Sequence, residues 1–118
     1  MIGGLSSSHV YLATGFTDMR KSINGLSIIV SEQLGCNPYD GSVFVFCNRG
    51  RDKLKILYWE HNGFWLAYRR LEKGKFKWPM HRETDIISLT LRELHWLLAG
   101  LSFVQKQAHT KVFELTNN

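Results

Sequence analysis

The chain has 118 residues, a hydrophobic content of 44%, a charged content of 21% and a formal net charge of +5. A chain of this length can bury about two-thirds of its unfolded surface in one domain, so it needs no disulfide or metal staple. The N-terminus lacks a basic region followed by an apolar core, and no apolar run approaches the ~20 residues of a membrane span. We therefore expect a cytoplasmic protein with no membrane partner.

The first elements in chain order are a short strand over residues 9–13 and a helix over residues 18–34. Thr17 is the expected N-cap of this helix, and Asp18 places a negative charge in its first turn. Gly35 is a suitable residue just beyond its end. The apolar face of the helix consists of residues spaced three or four apart, namely Met19, Ile23, Leu26, Val30 and Leu34.

After this helix the side-chain pattern repeats every two residues, and this repeat predicts strands over residues 42–47, 53–60 and 64–71. Asn62-Gly63 between the last two is a strong hairpin signal, because a type I′ turn needs positive φ at both central residues. Centring this turn on Asn62-Gly63 pairs Trp59 with Leu66. Centring the preceding turn on Gly50-Arg51 pairs Phe44 with Leu57.

The remaining pattern predicts short strands over residues 75–78 and 86–89, and a second helix over residues 91–99. Thr90 and Glu93 have the spacing of a capping box at the start of this helix. The expected fold class is therefore α+β, an antiparallel β-meander of about four to five strands packed against an N-terminal and a C-terminal helix. We expect one domain over residues 1–118, with residues 1–8 and 103–118 loose.

The expected register divides the side chains of the sheet between two faces. The smaller, mostly aliphatic face, with Val43, Val45 and Ile56, would pack under both helices. The other face would remain open as a docking platform that places aromatic side chains beside cations. Its members are Phe44, Phe46, Lys55, Leu57, Trp59, Leu66, Tyr68 and Arg70.

Most of the positive charge lies between Arg49 and Arg82, where ten of the fifteen Lys and Arg residues face only three acidic residues, a net charge of +7. Cations interleaved with aromatic residues suit nucleic acid, because they neutralise phosphates while the rings stack on bases. The same pattern is also expected on an ordinary solvent-exposed sheet face, where Lys and Arg side chains keep the edge strands from pairing with other chains. The candidate nucleic-acid-binding residues are Arg49, Arg51, Lys53, Lys55, Trp59, Tyr68, Arg69, Arg70, Lys73, Lys75 and Lys77.

The sequence contains no pattern typical of a catalytic, cofactor or metal site. The five histidines form no HxxxH pair, and Cys36 and Cys47 form no CxxC motif, so we expect no metal and two reduced thiols. Phosphate-binding and dinucleotide-binding glycine motifs are missing as well. We therefore expect no cofactor and no enzymatic activity.

Five strings together resemble one protein family. They are TDMRKSINGL at 17–26, FVFCNR at 44–49, KILYW at 55–59, GFWL at 63–66 and RRLEKGKFKWP at 69–79. The chain resembles the TnpB (Orf2-like) accessory proteins of the IS66 type of bacterial insertion sequences. The resemblance covers roughly residues 9–101 in the same order.

The resemblance implies a small accessory protein, encoded beside a separate DDE-type transposase and a further accessory protein, with no established catalytic activity. We predict that it assists transposition by contacting element DNA or the transposase–DNA complex through its basic aromatic sheet. The alternative is an adaptor that binds the transposase or the co-encoded accessory protein without touching DNA. An enzyme with a cryptic site is a third, weaker hypothesis. The oligomeric state stays open.

Overall fold

The computed structural model describes residues 9–80 and 83–100. Five strands and two helices follow one another along this part of the chain. They are β1 (Val10–Ala13), α1 (Ile23–Ile28, continued by a π-helical turn over Ile29–Gln33), β2 (Val43–Cys47), β3 (Lys53–Glu60), β4 (Gly63–Arg70), β5 (Ile86–Leu89) and α2 (Leu91–Leu98).

The five strands form one sheet in the order β4-β3-β2-β1-β5. The α+β class is thereby confirmed, and the sheet is mostly antiparallel. Only β2, β3 and β4 form the expected meander, because β1 pairs with β2 in parallel and β5 pairs with β1. A parallel pair needs a long crossover connection, and α1 lies within the one that joins β1 to β2.

The predicted start of the first helix at residue 18 is wrong, because the helix begins at Ile23. The backbone N–H of Thr17 donates to the carbonyl of Cys47 at 2.7 Å, which ties this segment to the end of β2 instead of capping a helix. Asp18 Oδ1 accepts from the backbone N–H of Arg20 at 2.9 Å and so forms a local turn. The predicted end is correct to within a residue, with Gly35 at a φ of +66° just beyond it.

The predicted strand over residues 75–78 is also wrong. Phe76 and Trp78 alternate as strand residues would, and both are buried. The backbone N–H of Phe76 donates to the carbonyl of Arg51 at 2.7 Å, but that of Trp78 donates back to Phe76. The segment therefore covers the sheet with its aromatic side chains without adding a strand to it.

Each face of the sheet is covered by a different helix, which corrects the prediction that both helices lie on one face. Leu26 and Val30 of the first helical segment pack on Phe44, Phe46 and Leu57, three residues expected on an open platform. The opposite core contains Leu94 and Leu97 of α2 together with the aliphatic residues of β1, β2 and β3. The β1–α1–β2 crossover occupies one face, and α2 covers the other.

The register of β2 and β3 is as predicted, with Phe44 opposite Leu57. The predicted register of β3 and β4 is wrong by two residues, because His61 and Asn62 form the centre of the turn with φ of 51° and 66°. A shift of two residues leaves every side chain on its original face. The composition of the two faces is therefore retained although the partners change.

The second helix agrees with its prediction closely. Thr90 Oγ1 accepts from the backbone N–H of Glu93 at 3.0 Å, and the Glu93 carboxylate accepts from that of Thr90 at 2.8 Å, which completes the capping box. Cys36 and Cys47 are free thiols, half-buried and buried respectively. The segments expected to be loose, residues 1–8 and 103–118, lie outside the described residues.

Candidate nucleic-acid interface

Several of the predicted cations meet at one end of the sheet. The strand pairing places Lys53 opposite Arg70, and the segment that follows β4 then bonds back to the β2–β3 turn. The backbone N–H of Leu71 donates to the carbonyl of Asp52 at 2.8 Å, and Lys75 Nζ donates to the carbonyl of Gly50 at 2.9 Å. We call this region the basic end; its cations are Arg49, Arg51, Lys53, Arg69, Arg70, Lys73 and Lys75.

The positive charge of the basic end is only partly neutralised. Asp52 lies 3.5 Å from Lys53, and Glu72 lies 2.9 Å from Arg70. Within residues 9–80 and 83–100, no carboxylate forms an ion pair with the other five cations. Seven cations against two exposed or half-exposed carboxylates produce a positive potential at this end of the molecule.

The turn that presents Arg49 and Arg51 is held by Asn48. Its Oδ1 atom accepts from the backbone N–H groups of Asp52 at 3.1 Å and Lys53 at 3.0 Å. Its Nδ2 atom donates to Asp52 Oδ1 at 2.8 Å, and this hydrogen bond is the main cause of the lowered pKa of Asp52. The backbone of the turn is therefore fixed independently of the two arginine side chains, which remain exposed.

Phe16 is a neighbour of the basic end that sequence reasoning missed. Its ring lies 5.0 Å from the guanidinium carbon of Arg49, within the range of a cation–π contact. The contact directs Arg49 toward the segment between β1 and α1. No local pattern pointed to Phe16, because it lies far from Arg49 in sequence.

An open groove of about 670 Å³ adjoins the basic end. Tyr68 on β4 has 53% of its surface exposed at this groove, beside the half-buried Leu66. Lys53 also lines it, so the groove is continuous with the basic end. Its remaining lining residues are Asp18, Met19, Arg20 and Lys55.

Arg20 belongs to this site although it was not among the predicted binding residues. Its guanidinium binds the Asp18 carboxylate through two nitrogens, at 3.1 Å and 2.8 Å. These hydrogen bonds lower the pKa of Asp18 to about 2. No local signal in the sequence identified Arg20, since an aspartate that accepts from the backbone N–H of the second following residue is equally compatible with a helix N-cap.

Three of the predicted binding residues either lie away from the basic end or form contacts within the fold. Lys55 Nζ donates to the carbonyls of Met19 and Lys21, both at 2.7 Å, and so holds the segment before α1. Trp59 lies at the opposite end of β3, where it packs edge-on against the ring of Tyr39. Lys77 is exposed between two buried aromatic residues.

The described residues contain no group of three or more His, Cys, Asp or Glu side chains that could hold a metal ion. Burial raises the pKa of the Cys47 thiol to about 12 and also raises that of Cys36, so both stay protonated at neutral pH. Across the same residues, no helix has the length and apolar character needed to traverse a bilayer.

Comparisons with known proteins identify the family. The family described as IS66 Orf2-like protein matches residues 8–108. An uncharacterized protein of Sinorhizobium fredii, y4hO, is 38% identical over 98 residues, which cover 83% of this chain and 84% of that protein. A second protein of the same organism, y4jC, is 34% identical over 105 residues, or 89% of each. No solved structure matches significantly. The chain therefore belongs to the IS66 Orf2-like family, which associates it with the transposition of insertion sequences as an accessory protein.

Proposed function

We propose that this protein is a non-catalytic accessory protein that binds element DNA, alone or in complex with the DDE-type transposase, through the basic end and the adjoining groove. The observation that carries the proposal is the convergence of seven cations on one end of the sheet, five of them without an ion pair among the described residues. Family membership supplies the context of transposition.

The chemistry of the basic end suits a phosphate backbone. Arginine and lysine side chains neutralise phosphates and release condensed counterions, which produces salt-dependent affinity with little base preference. Arg49 and Arg51 extend from a turn whose backbone is held by Asn48, so little backbone conformational entropy is lost when they bind. Tyr68 offers an exposed ring in the groove beside them, where an unpaired base could stack.

The proposal is tested by fluorescence anisotropy with a labelled duplex of the element end and a scrambled duplex, each at several salt concentrations. The double variant Arg49→Glu and Arg51→Glu is compared with Arg92→Glu on α2. Arg92 is an exposed arginine outside the basic end, and it follows β5 at the opposite edge of the sheet.

The wild type should lose affinity as salt rises, and each phosphate contact contributes about 0.9 to the slope of log K against log salt concentration. Reversal at Arg49 and Arg51 should reduce that slope by about two and weaken binding to both duplexes. Arg92→Glu should leave the slope nearly unchanged. Absence of binding at low salt, or equal effects of the two variants, would refute the proposal.

One feature of the groove favours the alternative, an adaptor that binds the transposase or the co-encoded accessory protein. Met19 and Leu66 place apolar surface beside Arg20 and Lys53, and such a surface suits an acidic amphipathic segment. Titration of the transposase with the wild type and with Arg20→Glu, whose side chain lines the groove, distinguishes the two hypotheses. Transposase binding that depends on the groove, together with no DNA binding at low salt, would establish the adaptor instead.

A further inference from the structure

The outermost strand of the sheet, β4, has a backbone edge with which no other segment of residues 9–80 and 83–100 pairs. The N–H of Leu71, just after the strand, donates to Asp52 at the start of β3, so odd-numbered residues bond toward β3. Backbone groups alternate in direction along a strand, and the even-numbered residues therefore point away from the sheet. Within the described residues, no backbone hydrogen bond from another segment reaches Phe64, Leu66, Tyr68 or Arg70.

Apart from its two terminal arginines, this edge has none of the strand features by which sheet proteins usually protect one. β4 has eight residues, contains no proline, and pairs with β3 without a bulge from Gly63 to Arg70. Its first six residues carry no charge, and the exposed fractions of Trp65 and Tyr68 are 57% and 53%. A long, apolar edge of this kind is a template for pairing with another strand. The opposite edge strand, β5, has only four residues.

We propose that β4 pairs antiparallel with β4 of a second copy of this chain, around a two-fold axis that passes through Ala67. An axis perpendicular to the sheet keeps the same face of both copies on the same side, so paired residues must both be odd or both be even. The hydrogen-bonded pairs are then formed by the even-numbered residues: residue 64 pairs with 70 of the other copy, and residue 66 pairs with 68.

A second copy suits this edge because the strand is complementary to its own reverse. The first half of β4 is aromatic and the last two residues are arginines. Centred on Ala67, the pairing places Trp65 opposite Arg69, and Phe64 opposite Arg70, so each arginine meets an aromatic ring. No like charges lie opposite each other. Moving the axis to Leu66 would instead place Arg69 opposite Gly63.

The resulting dimer would have one continuous sheet across both copies. The two basic ends would lie at opposite ends of the β4 pair, because the strands run in opposite directions. Neither the α1 layer nor the α2 layer would need to move, since the new hydrogen bonds extend the sheet only in its own plane.

The first test measures the oligomeric state by sedimentation velocity up to roughly 100 μM protein, where a dimer with a Kd near 10 μM would predominate. Tyr68→Pro removes an N–H group that faces the open edge and leaves the hydrogen bonds to β3 intact. Tyr68→Ala removes the same side chain but keeps the N–H. The wild type and Tyr68→Ala should dimerise, and Tyr68→Pro should be a monomer with an unchanged circular dichroism spectrum.

The second test is a disulfide cross-link that does not depend on a proline variant folding. At the axis, the Cα atoms of Ala67 and its counterpart should lie about 4.5 Å apart, within the range of a disulfide. Ala67→Cys should therefore cross-link under mild oxidation. Trp65→Cys is the matched control, because its counterparts would be four residues out of register, roughly 13 Å apart. A wild type that stays monomeric, a dimeric Tyr68→Pro, or equal cross-linking of the two cysteine variants would overturn the proposal.

Discussion

Lys55 offers a direct test of whether a predicted DNA-binding cation is in fact used by the fold. Its ammonium group donates to the carbonyls of Met19 and Lys21, both at 2.7 Å, and so joins the middle of β3 to the segment before α1. We consider Lys55→Met, which keeps an unbranched apolar stem and removes both hydrogen bonds. The stem of Lys55 is half-buried, so the substitution leaves its packing largely intact.

The expected loss follows from the number and kind of these bonds. A hydrogen bond that involves a charged group contributes about 1.5–3 kcal/mol net, and the lower value applies here because water can solvate the freed carbonyls of an exposed loop. Two such bonds predict a decrease of about 3 kcal/mol in the free energy of unfolding. With an m-value of about 1.5 kcal/mol/M in urea, the unfolding midpoint should fall by roughly 2 M.

The assay is equilibrium unfolding in urea followed by tryptophan fluorescence, with Lys77→Met as the control. Lys77 is exposed and its side chain forms no hydrogen bond with any described residue, so its substitution should change stability by less than about 0.5 kcal/mol. A loss below that value for Lys55→Met would refute the reasoning. A simultaneous decrease of about one in the salt slope of DNA binding would instead assign Lys55 to a phosphate contact.

Two further predictions concern local electrostatics and capping. Thr90→Ala should decrease the free energy of unfolding by about 1 kcal/mol, because it removes the acceptor for the Glu93 N–H, whereas Thr90→Ser should restore most of it; urea unfolding measures both. Arg20 lowers the pKa of Asp18 to about 2, so the stabilisation by this carboxylate is complete above its ordinary pKa of 3.8 and is lost as the pH falls through about 2. A carboxyl NMR titration should show this midpoint, and Arg20→Gln should raise it toward 3.8; an unchanged midpoint would contradict the assigned cause.

Local patterns were sufficient where the determining interactions are local. The capping box of α2 joins residues three apart, and both of its hydrogen bonds form as the sequence predicts. The period of two located β2, β3 and β4 to within a residue or so at each end. The β3–β4 turn was displaced because His61, and not Gly63, adopts a positive φ, although glycine adopts that conformation more readily than histidine does.

Local patterns failed where a distant contact outweighs propensity. Thr17 and Asp18 have the form of a helix start, yet Thr17 is bonded to Cys47 at the end of β2 and Asp18 forms a turn with Arg20, so the helix begins only at Ile23. The pattern of residues 75–78 is that of a strand, but Phe76 and Trp78 are buried against the sheet and the N–H of Phe76 donates to the carbonyl of Arg51, so no strand forms. Neither the contact with Cys47 nor the contact with Arg51 can be recognised from the neighbouring sequence.

The amino-acid sequence by itself determined the α+β class, the concentration of charge between Arg49 and Arg82, and which strand residues share a face. These properties depend on composition and on the alternation of side chains along each strand. Only the tertiary structure decided that α1 covers the face expected to be open, that Lys55 is bonded within the fold, and that β4 lies at an edge. The physical reason is that strand order and helix placement arise from contacts between residues far apart in the chain, which no local period records.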